Sequence, residues 1–253
     1  MSKSANEFAR FTKADQPAKP RIIANSYGEV GTLKTSFWLG APGPIVVFSF
    51  DKGLEGVIEE YQKTKDIYVK EYTWGHMPGQ GPDQQAAIDL RDEFTEDFEH
   101  ACKHARTVFI DKETELWDVV KYADFGAPQE GTPKDWDRPK GRMRRLLNMP
   151  KATDINFGVI QGMRNEWVSQ VNPKTGKKGI TQSGLRIPAG SDDVEAIMNI
   201  NLEHFREDGE FKIRIGKMRG PGAREWQYQV IPAMSFSDFG QIVFPDSEES
   251  DWS

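Results

Sequence analysis

At 253 residues, with 37% hydrophobic and 28% charged residues and a formal net charge of −6, the chain is long and apolar enough for one large domain with a sizeable core. The acidic balance excludes a nucleic-acid contact driven by the overall field, so any such contact rests on local basic patches. No apolar stretch approaches the length needed to cross a bilayer, and a single cysteine, Cys102, excludes an intrachain disulfide or a thiolate metal cluster.

Residues 1–20 are polar and end in Gln16-Pro17-Ala18-Lys19-Pro20, the composition of a flexible arm. The first residues lack the apolar segment of a secretory signal, so a cytoplasmic location and no membrane partner are expected. A first strand over 21–26 leads into a glycine turn, and a helix over 34–39 is broken by Ala41-Pro42-Gly43-Pro44. The continuous apolar run 45–50 reads as a strand buried on both faces. A helix over 53–63 and a short strand over 67–69 follow. Residues 75–82 are a loop by composition, and 83–104 form a long amphipathic helix. Residues 107–110 are a second buried strand, with a helix over 114–122, a strand over 155–160 and an alternating strand from Phe211. Alternating strands and helices predict right-handed crossovers and a mostly parallel sheet of the α/β class.

The first strand ends in Gly28-Glu29-Val30-Gly31-Thr32-Leu33-Lys34-Thr35-Ser36, the layout of a phosphate-binding loop between strand and helix. Glycines let backbone N–H groups curl around a phosphate, Lys34 reaches the terminal phosphates, and the Thr35 hydroxyl can ligate Mg²⁺. The glycine that the pattern places just before the lysine is Leu33 here. The alternative is a glycine turn that only caps a helix. Further along, Thr107-Val108-Phe109-Ile110-Asp111 is an apolar strand ending in a carboxylate, which can hold Mg²⁺ beside the loop threonine. Asp51, just past the intervening strand, either serves as the general base for an attacking water or caps a helix beginning near Gly53. Four histidines are scattered. Only His100 and His104 share a helical face, with no third ligand pattern near them.

In their order, the loop, the strand ending at Asp51, the strand ending at Asp111 and the strand leading to Gln161 resemble the RecA-like ATPases. The phage-encoded branch of short, single-domain members is the nearest match, and some of these serve single-strand annealing. The resemblance spans about residues 21–232. It implies a RecA-like core with a mostly parallel sheet flanked by helices and C-terminal antiparallel strands, ATP and Mg²⁺ as cofactors, and a C-terminal segment, 233–253, with an acidic tail. By the same resemblance Asp51 is the catalytic acid, Thr35 and Asp111 hold the metal, and Gln161 senses the γ-phosphate, a role that suits a neutral amide.

Phe211-Lys212-Ile213-Arg214-Ile215-Gly216-Lys217-Met218-Arg219-Gly220-Pro221 is similar to the Lys-x-Arg-x-Gly-Pro element of DnaB-type helicases. The similarity implies that Lys217 and Arg219 act on the ATP of a neighbouring subunit, in a homo-oligomer with ATP at its interfaces. Cations supplied in trans make turnover depend on assembly. The bland alternative is an exposed basic strand end.

Residues 162–190 read as a long, glycine-rich basic loop, with Arg164, Lys174, Lys177, Lys178 and Arg186 as cations and Trp167 as a stacking platform for single-stranded DNA. A second basic cluster, Arg138, Lys140, Arg142, Arg144 and Arg145, is equally well a solvated helix face. Phe11-Thr12-Lys13-Ala14 has the form of a subunit-docking motif. The acidic tail fits screening of a basic surface, recruitment of a single-strand-binding or replication partner, or simple disorder.

Overall fold

A computed structural model describes residues 19–74, 83–126, 135–171 and 178–252. The arm motif Phe11–Ala14, the loop 75–82, and Lys174 and Lys177 lie outside the described residues.

The first half follows the expected alternation. β1 (Ile23–Gly28) leads through the glycine turn into α1 (Lys34–Leu39), then β2 (Ile45–Ser49), α2 (Ile58–Tyr61) and β3 (Ile67–Glu71). α3 (Gln84–His104) starts where the Asp83 side chain accepts the Gln85 N–H, satisfying one of the free donors of its first turn. β4 (Thr107–Asp111), α4 (Glu113–Phe125), α5 (Asp137–Asn148) and β5 (Asn156–Gln161) complete this half. The helix expected over 53–63 shrinks to the four residues of α2, because Gly56 turns at φ 80° and resets the backbone just before it.

The second half departs further from expectation. The segment read as a loop is a ribbon of two antiparallel strands, β6 (Met163–Val171) and β7 (Lys178–Pro188). Its glycines and cations gave a loop composition, while Trp167, Val168, Thr181 and Ile180 supply the β-forming residues that pair across it. α6 (Asp193–Ile197) follows, then β8 (Ile200–Glu207), β9 (Glu210–Met218), α7 (Ala223–Trp226), β10 (Val230–Pro232) and α8 (Phe236–Val243).

Eight strands form one sheet in the order β10-β9-β8-β1-β5-β4-β2-β3. From β8 to β3 the pairing is parallel, and β9 and β10 run antiparallel at one edge. This is the mostly parallel α/β sheet with C-terminal antiparallel strands that the sequence predicted. Both faces are covered, which is why the central strands are apolar on alternate sides. On β4, Val108 and Ile110 pack with Phe94, Phe98 and Phe157 under α3, while Phe109 packs with Phe37, Trp38 and Phe236 on the other face. Each fully buried aromatic is worth roughly 2–3 kcal/mol.

The segment after residue 232 packs into this second face. Trp252 is 1% exposed, stacks 5.8 Å from Phe244 and donates its indole N–H to Ser247 Oγ at 2.8 Å. Among the described residues no helix is long and apolar enough to cross a membrane.

Candidate functional site

Parallel strands deliver their C-terminal ends to one edge of the sheet, where ligands of open α/β folds bind. Here that edge carries the loop after β1, Asp111 at the end of β4, Asp51 just past β2 and Gln161 at the end of β5.

The loop begins at Gly28, whose backbone lies so close to β8 that an added Cβ would stand 2.0 Å from the His204 carbonyl oxygen. No side chain fits there. Thr32 Oγ1 donates to the Glu29 carbonyl at 2.8 Å and closes the turn, while Val30 projects into solvent. Lys34 Nζ donates to the carbonyls of Gly28 at 3.0 Å and Glu29 at 2.5 Å and to Thr32 Oγ1 at 3.3 Å. The ammonium thus folds back into the hollow of its own loop. Its burial lowers its pKa, while Asp111 and Glu29 pull the other way.

Leu33 has φ 65° and ψ 16°, a left-handed conformation that costs a side-chain residue on the order of 1–2 kcal/mol. The backbone therefore keeps the shape a glycine would give this position, although the residue is leucine. Lys52 and Lys112 adopt the same region, at φ 57° and 62°, each next to an expected site carboxylate. Leu33 and Ser36 also edge a cavity of about 340 Å³ lined by Gly40, Tyr61, His204 and Met234.

Thr35 Oγ1 lies 3.1 Å from Asp111 Oδ2, joining positions 76 residues apart. Burial, and then the charge of Asp51, raise the Asp111 pKa to about 6, against the opposing pull of Thr35, Lys34 and Lys112. The donor set suits Mg²⁺: one hydroxyl and one carboxylate, with room for phosphate and water oxygens in place of a full protein cage. Ser49, paired in register with Asp111, has a buried hydroxyl with no hydrogen-bond partner among the described residues, a ready acceptor or donor for a metal-bound water. No cluster of three or more histidine, cysteine, aspartate or glutamate ligands exists among the described residues. The His100 and His104 rings only stack on each other, 4.4 Å apart.

Asp51 uses both oxygens locally. Oδ1 accepts the Gly53 N–H at 3.0 Å in a turn, so the expected helix cap is not formed because α2 begins only at Ile58, and Oδ2 pairs with Lys112 Nζ at 2.9 Å. Gln161 is 1% exposed and its amide is also fully engaged, accepting from Asn25 Nδ2 at 2.9 Å and donating to Glu113 Oε2 at 2.8 Å.

Lys217 and Arg219 lie elsewhere. Met218 on β9 pairs with Ile200, which sits beside Ala24 at the start of β1, whereas the loop leaves β1 beyond Gly28. Along the strand alone this separates them from the loop by roughly 13 Å. Lys217 Nζ donates to the carbonyls of Glu195 and Ala196 at 2.6 and 2.9 Å, and Arg219 is exposed.

On the ribbon, Trp167 is 58% exposed and Lys178 faces solvent. Arg164 pairs with Asp192 at 2.8 Å, and Arg186 pairs with Glu29 of the phosphate loop at 2.5 Å. In the second basic cluster, Arg138 and Arg142 both pair with Asp124, and Arg144 pairs with Asp193.

Sequence reasoning missed Glu113, Asn25 and Lys112. The available signal was a second acid, Glu113, two positions after Asp111. At a helix start, though, an acid is ordinarily a solvated dipole partner.

Comparison with protein-family models and with curated protein sequences finds no match. Among solved structures, the crystal structure of the RadB recombinase aligns over 86% of this chain and 88% of that one, at 12% identity and a TM-score of 0.42. So loose a likeness transfers no residue roles.

Proposed function

We propose that this chain is a RecA-like ATPase that binds MgATP at the loop 28–36 and acts on single-stranded DNA in phage-type recombination, annealing or replication. The observation that carries the reading is the meeting of Lys34, Thr35 and Asp111 at one strand edge, with Thr35 and Asp111 in direct contact. Phosphate oxygens replace the loop carbonyls as partners of Lys34, and Thr35 and Asp111 would hold a Mg²⁺ ion that would neutralise phosphate charge. The neighbouring cavity at Leu33 and Tyr61 offers the base a place beside the loop. Asp51, released from Lys112, orients the attacking water. The exposed Trp167 and the ribbon cations Arg164, Lys178 and Arg186 meet the DNA, together with Lys174 and Lys177 of the same sequence segment.

Lys217 and Arg219 lie beside the start of β1, at the far end from the loop of their own chain, which supports a role on a neighbour's ATP in a homo-oligomer. A steady-state assay of phosphate release with and without single-stranded DNA tests the proposal. Stimulated, Mg²⁺-dependent release is the expected result, and no nucleotide binding at all refutes it.

A second reading has its own observation. Leu33 stands in a glycine conformation, and Asp51 is held by both Gly53 and Lys112. A nucleotide-gated DNA-binding scaffold with weak hydrolysis would release almost no phosphate in that assay, while direct titrations would still show MgATP and DNA binding.

A further inference from the structure

Three successive residues at the end of β4 hold three different parts of the molecule. Asp111 bonds the loop threonine, Lys112 pairs with Asp51, and Glu113 reaches the base of the ribbon. Glu113 is completely buried, which is costly for a carboxylate unless it is well bonded. Oε2 accepts the Gln161 amide N–H at 2.8 Å, and both oxygens lie 3.3 Å from the Ser191 N–H. Gln161 ends β5 one residue before Gly162 leads into the ribbon, and Ser191 stands three residues past its return at Pro188. Just above, the Ala189 N–H donates to the Gly162 carbonyl at 2.9 Å and closes the two roots on each other.

Gly190 fits this contact closely. It has φ +100°, and a Cβ there would stand 2.0 Å from Glu113 Oε2 and 3.0 Å from Gln161 Nε2. The carboxylate is therefore packed against the ribbon root as well as bonded to it.

We propose that Glu113 is a positioning residue that couples the nucleotide site to the ribbon by holding the Gln161 amide and the Ser191 backbone with one carboxylate. The inference rests on the nucleotide and DNA reading above. When Gln161 turns toward a bound phosphate, Glu113 loses its strongest partner and its grip on Ser191 changes. The root of the ribbon then feels whether the loop is filled. A ligand acts at a distance only through such a difference in contacts between the two states.

The test measures the affinity of a fluorescent single-stranded oligonucleotide with and without a non-hydrolysable ATP analogue, together with the analogue's own affinity. In the wild type the analogue changes oligonucleotide affinity by about fivefold or more. Glu113→Gln, which keeps the side chain's shape, still binds the analogue, but the change falls to within roughly twofold, whereas a merely structural defect would weaken both affinities and leave their ratio alone. Amide exchange in the wild type is a second readout that needs no variant, and adding the analogue should alter protection of the Ser191 N–H. If Glu113→Gln keeps the full nucleotide-dependent change, or Ser191 protection ignores the analogue, the inference is overturned while the nucleotide site stands. A wild type that binds no analogue overturns both.

Discussion

The two ends of the parallel sheet differ in how much of the proposed chemistry one chain supplies. At the loop end, Lys34 is folded into the loop, Thr35 and Asp111 meet within hydrogen-bond reach, and Asp51 pairs with Lys112 beside Asp111. At the other end, Lys217 holds the carbonyls of Glu195 and Ala196 in α6, and Arg219 is exposed. Parallel pairing gathers strand ends on one edge, so residues scattered in sequence converge there without help. A cation on the opposite edge lies away from the loop of its own chain. On the proposed reading the first end is a site, and the second becomes one only against a neighbour.

The sharpest way to break this contrast is to separate the two ends genetically. Arg219→Ala should bind nucleotide nearly normally yet lose on the order of 10³-fold in turnover. Mixed with Lys34→Ala, it should recover part of that activity, because some sites then combine an intact loop with an intact arginine. If co-assembled mixtures recover nothing, Arg219 is only a basic strand end.

A smaller loss is expected within the loop end. Asp111→Asn should cost roughly a hundredfold in Mg²⁺-dependent turnover, since one metal carboxylate is gone. Asp51→Asn should reduce kcat more than nucleotide affinity. A steady-state titration of Mg²⁺ and ATP separates the two, and normal turnover by Asp51→Asn would move the base elsewhere.

The loop end also carries a cost visible in pH dependence. His204 lies buried behind Gly28 between Ser26 and Phe37, and burial, reinforced by Lys34, lowers its pKa from 6.5 to about 3. A depressed folded-state pKa gives stability that is present above 6.5 and lost as pH falls, because only the unfolded chain takes up the proton. Between pH 6.5 and 5 the loss should be on the order of 2 kcal/mol. Denaturant unfolding of wild type and His204→Gln at both pH values isolates it, since the variant should lack that part of the slope.

The smallest effect is expected at Leu33. Leu33→Gly removes the left-handed strain and should stabilise the empty protein by about 1 kcal/mol, read as a rise of a few degrees in Tm. The same substitution sharpens the choice between ATPase and scaffold: turnover that rises with it would mark Leu33 as the brake.

How legible these features were in the sequence follows from how local they are. β4 and Asp111 could be read because an apolar run ending in an acid is a local pattern. Leu33 stood out as a departure, and its φ shows the backbone retaining the glycine shape regardless. Glu113 could not be read. Its burial comes from the connection at Gly190 and Ser191, 78 positions downstream, closing over it. The ribbon was hidden for a similar reason, because glycines and cations interrupt the segment while its pairing joins residues across a gap in sequence. Gln161 was found by its place at a strand end, but its bonds to Asn25 and Glu113 were invisible, since neither partner carries a motif.

The most direct test of the central claim is calorimetric titration of MgATP into the wild type and into Lys34→Ala. The wild type should bind about one nucleotide per chain, and the folded variant should bind roughly a hundredfold more weakly, the cost of deleting one member of a hydrogen-bonded charge pair. Equal affinity in a Lys34→Ala protein whose circular dichroism matches the wild type would contradict the phosphate-loop account at its root.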